Sequence, residues 1–198
     1  MVSIIKSIIP AGRPNRPGRS VSLQKITIHN TANTTKGADA EAHSRYLIKT
    51  NEKKSWHFTC DDTDTYQHLP TNEIGYHAKS GNSKSLGIEI CENQGIDHKI
   101  ANDKAASLTA ELLHLHNLSL SDVVTHKHWT GKTCPRLLLD GSNEGKKWQL
   151  FLNRVKHFYE LKDGARFESI FASSAKNLEP ATAADDLIDL DHSTVILG

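Results

Sequence analysis

The stretch Val123-Val124-Thr125-His126-Lys127-His128-Trp129-Thr130-Gly131-Lys132-Thr133-Cys134-Pro135 gathers imidazole, ammonium and thiol into one short piece of chain. A β-branched run leads into His126, and a tight polar loop, loosened at Gly131 and fixed at Pro135, returns Lys132 and Cys134 towards it. Imidazole and thiolate together form a donor set that selects zinc over harder ions. A catalytic zinc takes three protein ligands and keeps a fourth position for water or substrate. The third donor assigned is His29, which ends the strand-like run Lys25-Ile26-Thr27-Ile28-His29. His128 competes with His126, because alternate positions on an extended segment face the same way. His126 is preferred, as the strand end would fix its direction. His114 and His116 are two apart on a predicted helix, point to different faces, and are not assigned as ligands.

Two further side chains complete the candidate site. Glu89 lies between Ile88 and Ile90, whose need for a core turns the carboxylate to the other face of the strand. There it would take a proton from water beside the metal. Glu92, near the end of the same strand, is expected to be solvated. Lys132, two residues before Cys134, could hold the oxyanion of a tetrahedral intermediate. His77, in Gly75-Tyr76-His77-Ala78, is open to two roles, a substrate contact or a structural hydrogen bond. His57 and His68 read as sheet or loop residues. The chain has no phosphate-binding glycine loop, no His-Glu-x-x-His helix and no Gly-x-Ser-x-Gly elbow.

The elements that must position these groups follow from pattern. Residues 10–20 hold three prolines, two glycines and three arginines, and predict an extended lead-in. Residues 25–30 predict a strand with Ile26 and Ile28 on one face and Thr27 and His29 on the other. After a loop from Asn30 to Gly37, a helix is expected over 38–49. Residues 55–61 and 63–69 predict paired strands joined at Asp61-Asp62. Turn and loop follow to Ser85, then a strand with Leu86, Ile88 and Ile90 alternating. A helix over 100–116 carries the stripe Ala105, Leu108, Leu112 and Leu115, and a last helix is expected over 143–161. Strands interleaved with helices predict an α/β fold, a central mixed β-sheet flanked by helices.

Composition sets the frame. The chain has 198 residues with 37% hydrophobic and 24% charged, ordinary for a globular protein. No apolar run reaches the roughly 20 residues of a membrane helix, so no membrane insertion is expected. The N-terminus is apolar but brief, carries Lys6 and has no convincing cleavage site, so it does not read as a signal peptide. The expected location is the cytosol until another factor releases the chain. Three cysteines cannot complete a disulfide framework; Cys60 and Cys91 could pair only after export. From Asp163 the composition turns Ala-, Ser- and Asp-rich, with seven acids and two bases, leaving residues 1–162 mildly basic. A mildly basic body fits an anionic polymer such as wall carrying acidic chains and also fits weak nucleic-acid binding, but no nucleic acid is expected as a partner. The expected division is a catalytic domain over 1–162 and an acidic tail or linker over 163–198, whose Leu187, Ile188, Leu190, Val195, Ile196 and Leu197 could dock on the body or pair with another copy.

The segments "ITIHNTAN", "SWHFTCDD", "YQHLPTNEIGYHA", "SLGIEICEN" and "VVTHKHWTGKTCP" resemble those of the type 2 N-acetylmuramoyl-L-alanine amidases, phage and bacterial lysins related to peptidoglycan recognition proteins. The resemblance covers residues 13–160 in the family's motif order. It implies zinc at His29, His126 and Cys134, a catalytic carboxylate at Glu89 and carbonyl assistance from Lys132. It also implies peptidoglycan as partner, with hydrolysis of the amide between N-acetylmuramic acid and L-alanine of the stem peptide. Some members place a proposed catalytic tyrosine before the His-Phe pair; here that position is Trp56, whose indole cannot exchange a proton, so Glu89 acts alone. A zinc peptidase acting within the stem peptide and a wall-binding module without catalysis are the competing readings.

Overall fold

The computed structural model describes residues 3–176, from 163 onward by backbone alone. Among the described residues, six strands share one sheet: β1 (Ile5–Lys6), β2 (Lys25–Asn30), β3 (Phe58–Cys60), β4 (Thr65–Gln67), β5 (Ser85–Ile90) and β6 (Val123–Thr125). Their order is β1-β4-β3-β5-β2-β6. The run β3, β5, β2, β6 is parallel, β4 is antiparallel to β3, and β1 is parallel to β4. The helices are α1 (Ala40–Lys49), α2 (His98–Leu115), α3 (His126–Thr130) and α4 (Lys146–Lys176). This is the expected α/β architecture, a mixed sheet flanked by helices.

Period-2 alternation decides the two faces of the sheet. Ile26 and Ile28 of β2, Leu86, Ile88 and Ile90 of β5, and Phe58 and Cys60 of β3 pack into one core with residues of α2 and α4. On α2, Ala101, Ala105, Leu108 and Leu112 supply a buried stripe at steps of three and four. Leu115, expected in that stripe, is 69% exposed at the last residue of the helix. On α4, Trp148, Phe151 and Val155 are buried. A smaller cluster of Ile9, Leu47, Trp56 and Leu69 lies beneath α1. The polar residues Thr27, His29, Thr59 and Glu89 occupy the face opposite the main core, and they are held there by the same alternation.

Several boundaries differ from those read in the sequence. The hairpin strands are shorter, because Asp61 closes a wider turn: its Oδ1 accepts from the Thr63 and Asp64 N–H groups at 2.7 and 2.6 Å. The same carboxylate accepts from the Ala40 N–H at 2.7 Å and so anchors the start of α1, whose N-cap is Asp39. The short β1 had no sequence signal. The lead-in, expected to be extended, instead makes two tight turns, at 11–12 and 14–15, with the Arg16 N–H donating to the Arg13 carbonyl at 3.0 Å, and it is tied down. Arg13 donates to the Lys49 and Thr50 carbonyls, and Arg16 forms a two-toothed pair with Glu73.

The chain separates into two units, Met1–Lys162 and Asp163–Gly198. Where a linker was expected after 162, the helical backbone of α4 continues to Lys176. Three alanines and the helix formers Arg166, Glu168 and Lys176 there suit a helix, against three serines and Gly164. The apolar tail residues from Leu187 to Leu197, with the self-association assigned to them, lie outside the described residues. No described helix is long and apolar enough to cross a membrane.

Candidate metal centre and active site

Parallel strands β2, β5 and β6 end together, and the C-terminal edge of such strands is where α/β folds build their sites. His29 is the fifth residue of β2, Glu89 the fifth of β5, and His126 follows β6 directly. The strand does not continue through His126 as expected. Thr125 caps a five-residue helix instead, its Oγ1 accepting from the His128 N–H, and Gly131 ends that helix at φ 76°. A helix turns about 200° over two residues, so His128 is carried away from His126. His128 instead packs edge-on against Trp129 and does not compete as a ligand.

The loop after α3 brings the sulfur back. The Lys127 N–H donates to the Cys134 carbonyl at 3.1 Å, and the Cys134 N–H to the Lys132 carbonyl at 2.7 Å. The exit is clamped by Asn30, whose Oδ1 accepts from the Leu137 N–H at 3.0 Å. Beside it Glu92 pairs with Arg136 at 3.0 Å. Glu92 was expected to be solvated; it is 4% exposed, because Arg136 from this loop covers it and supplies the countercharge.

The result is a cluster of three donors. His29, His126 and Cys134 each offer a ligand atom, and these atoms lie within 4.8 Å of one another. His29 Nδ1 stands 3.1 Å from His126 Nδ1 and 3.9 Å from Cys134 Sγ. Tetrahedral zinc with ordinary bond lengths separates nitrogen from nitrogen by about 3.3 Å and nitrogen from sulfur by about 3.6 Å. The chemistry of the donor set suits zinc, and the two separations from His29 lie near the zinc values. Burial, reinforced by neighbouring His77, His126 and Lys132, holds His29 well below the ordinary imidazole range. Burial likewise lowers His126 to about 4, so both rings keep lone pairs at neutral pH.

Glu89 Oε1 lies 3.9 Å from His29 Nδ1, while Oε2 is buried without a hydrogen-bond partner. Burial pushes this carboxyl up to about 8, against the pull of Lys54 and Lys132. Burial also pushes the Cys134 thiol up to about 12. Lys132 is exposed, and its positive charge acts on His29, His126, Glu89 and Cys134 alike. Beside Glu89 opens a groove of about 490 Å³, walled by Ala42, His43, Tyr46, Lys54 and Trp56. Trp56 is 3% exposed and its Nε1–H donates to Thr59 Oγ1 at 2.7 Å. His77 does not face this groove. Its ring nitrogens meet His29 Nε2 at 3.0 Å and the Ser85 carbonyl at 3.1 Å, so of its two open roles it has the structural hydrogen bond.

Residues 18–137 match the family described as N-acetylmuramoyl-L-alanine amidase. The chain belongs to this amidase family. It is 55% identical over 144 residues to N-acetylmuramoyl-L-alanine amidase XlyA of Bacillus subtilis (strain 168), covering 71% of this chain and 48% of XlyA. It is 48% identical over 160 residues to the amidase CwlH of the same strain, covering 78% of this chain and 62% of CwlH. The chain thus spans about half the length of XlyA. Among solved structures, the catalytic domain of XlyA superposes with a TM-score of 0.73 at 51% identity, over 78% of this chain and 99% of that one. PlyL superposes with a TM-score of 0.69 at 28% identity, over 78% and 97%.

The clamp made by Asn30, Glu92 and Arg136 and the groove wall at Lys54 were not legible in the sequence. Neither has a local motif, since each depends on segments far apart in the chain. Gly87 did carry a signal, because glycine inside a strand marks a close approach. A Cβ there would meet His77 Cγ and Nδ1 at 2.8 Å.

Proposed function

We propose that this chain is a zinc-dependent N-acetylmuramoyl-L-alanine amidase that degrades cell wall peptidoglycan, as an endolysin or autolysin does. The observation that carries the reading is the convergence of His29, His126 and Cys134 within 4.8 Å, with the Glu89 carboxylate 3.9 Å from His29. His29, His126 and Cys134 hold the metal. Bound zinc supplies Lewis acidity to water and to the scissile carbonyl, lowering the pKa of water from about 15.7 to about 7.

Glu89 takes the proton of the attacking water, and oxygen adds to the lactyl carbonyl. The Lys132 ammonium stabilises the negative charge that develops on the carbonyl oxygen. Glu89 then returns the proton to the leaving nitrogen, the C–N bond breaks, and the stem peptide departs with a free amino group on its L-alanine, leaving the lactyl carboxylate on the sugar. Burial favours the protonated form of Glu89, and the Lys54 and Lys132 charges pull towards the carboxylate that the first step needs. The groove past Trp56 and Lys54 receives the muramyl peptide. Lys54 there suits an anionic peptide chain.

The test is digestion of purified wall by the full chain, followed by mass spectrometry and amino-terminal analysis. New L-alanine amino termini, abolished by chelation and restored by zinc, are expected. New termini from inside the stem peptide would make it a peptidase instead; binding to wall without any new terminus would make it a non-catalytic module.

A further inference from the structure

His77 lies behind the metal donors and has no contact role in the chemistry described above. We propose that His77 is a positioning residue that locks His29 in its Nε2–H tautomer and so presents the Nδ1 lone pair to the metal. The inference rests on the zinc reading of the site and extends it to a residue behind the three donors.

The polarity of the chain of hydrogen bonds is fixed at its far end. His77 Nε2 stands 3.1 Å from the Ser85 carbonyl oxygen, which can only accept, so Nε2 carries the hydrogen. In a neutral ring the other nitrogen, Nδ1, is then an acceptor. It faces His29 Nε2 at 3.0 Å, which must donate to it. With its proton on Nε2, His29 has a bare Nδ1, and that atom is the one 3.1 Å from His126 Nδ1 and 3.9 Å from Cys134 Sγ. A backbone carbonyl on β5 therefore decides, through two imidazoles, which nitrogen of His29 meets the metal. Metal-bound histidines ordinarily depend on such a partner for tautomer and ring direction.

The scaffold around His77 is built for this orientation. Its N–H and that of Ala78 both donate to Asn82 Oδ1, at 2.8 and 2.6 Å. The ring lies against Gly87, where a Cβ would stand 2.8 Å from its Nδ1. Ser85 is itself held, donating to the Gly81 carbonyl at 2.9 Å and accepting from Thr27 Oγ1 at 2.8 Å. His57 packs edge-on behind the ring, with centroids 5.8 Å apart.

The test begins with unaltered protein labelled with ¹⁵N at histidine, metal-free and zinc-loaded, read by long-range ¹H–¹⁵N correlation. His29 is expected to hold its proton on Nε2 in both states; a proton on Nδ1 in the metal-free protein overturns the proposal. Zinc affinity by chelator competition follows on two variants. His77→Leu should bind zinc about 10- to 100-fold more weakly, the usual cost of losing such a partner. His77→Asn, whose amide oxygen can accept near the position of Nδ1, should recover most of that loss. Wild-type affinity in a folded His77→Leu overturns the proposal, and if that variant fails to fold, the tautomer measurement decides alone. Failure of the unaltered chain to take up zinc would strike the zinc reading itself, and the metal-free tautomer would still report on the relay.

Discussion

His29 and Glu89 are register partners on the adjacent parallel strands β2 and β5, with Nδ1 and Oε1 3.9 Å apart. Parallel pairing puts partnered residues on the same face, so the proposed metal donor and the proposed proton acceptor are set side by side by backbone alone. Ile26 and Ile28 before His29, and Ile88 and Ile90 on either side of Glu89, fix the face, because turning them to solvent would empty the core.

Glu89→Gln separates proton transfer from metal binding. The amide fills the same volume but cannot take a proton. Zinc content should equal that of the unaltered chain, and turnover of a defined muropeptide should fall by about 10²- to 10⁴-fold, the range for loss of a general base. Turnover within a few fold of the original would remove Glu89 from the mechanism.

Cys134→Ser should act on the metal instead. A neutral hydroxyl is a poorer zinc donor than a thiolate, so affinity measured by chelator competition should drop and activity should fall with occupancy. Unchanged affinity would mean that Cys134 is not a ligand. Excess zinc should restore part of the activity of this variant and none of that of Glu89→Gln.

Arg136→Met tests the clamp behind the cysteine loop. It strips the countercharge from Glu92, which is 4% exposed. Breaking a fully buried pair costs about 3–5 kcal/mol, and the 46% exposure of the Arg136 side chain reduces this to about 1–2 kcal/mol. Thermal melting should show the loss. The exposed pair Lys156–Glu160 is the control, and Lys156→Met should change little.

Acid should unfold the metal-free protein early, through buried imidazoles outside the donor cluster. His57 Nε2 lies 2.9 Å from the Glu73 carbonyl, to which it donates, while its Nδ1 accepts from the Gly87 N–H at 3.0 Å, leaving no room for a second proton. Burial lowers His57 to about 4 and His68 to about 3. Below the ordinary value of 6.5 the unfolded chain binds protons that the fold refuses. Stability is therefore whole above pH 6.5 and lost as pH falls towards 4, on the order of 3 kcal/mol for His57. Urea midpoints between pH 7 and 4 check this, and His57→Gln should flatten the slope.

Strand alternation made His29 and Glu89 legible in the sequence, and the short His126–Cys134 separation made the other two donors so. What was not legible depended on contacts distant in the chain. The strand β1 is two residues long and exists because β4 offers an edge. His126 starts a helix because Thr125 and Gly131 cap both ends, which a β-branched run before it concealed. Glu92 looked like a solvated strand end because its partner, Arg136, lies 44 residues later. His77 looked like a loop residue, since the Ser85 carbonyl and Gly87 that receive its ring have no signature beyond one glycine in a strand.

The most direct measurement is an anomalous difference map at the zinc absorption edge from crystals of the full chain grown with zinc. One peak is expected, within bonding distance of His29 Nδ1, His126 Nδ1 and Cys134 Sγ, with the fourth donor not from the protein. A peak bound elsewhere, or one enclosed by four protein donors, would contradict the hydrolytic zinc centre.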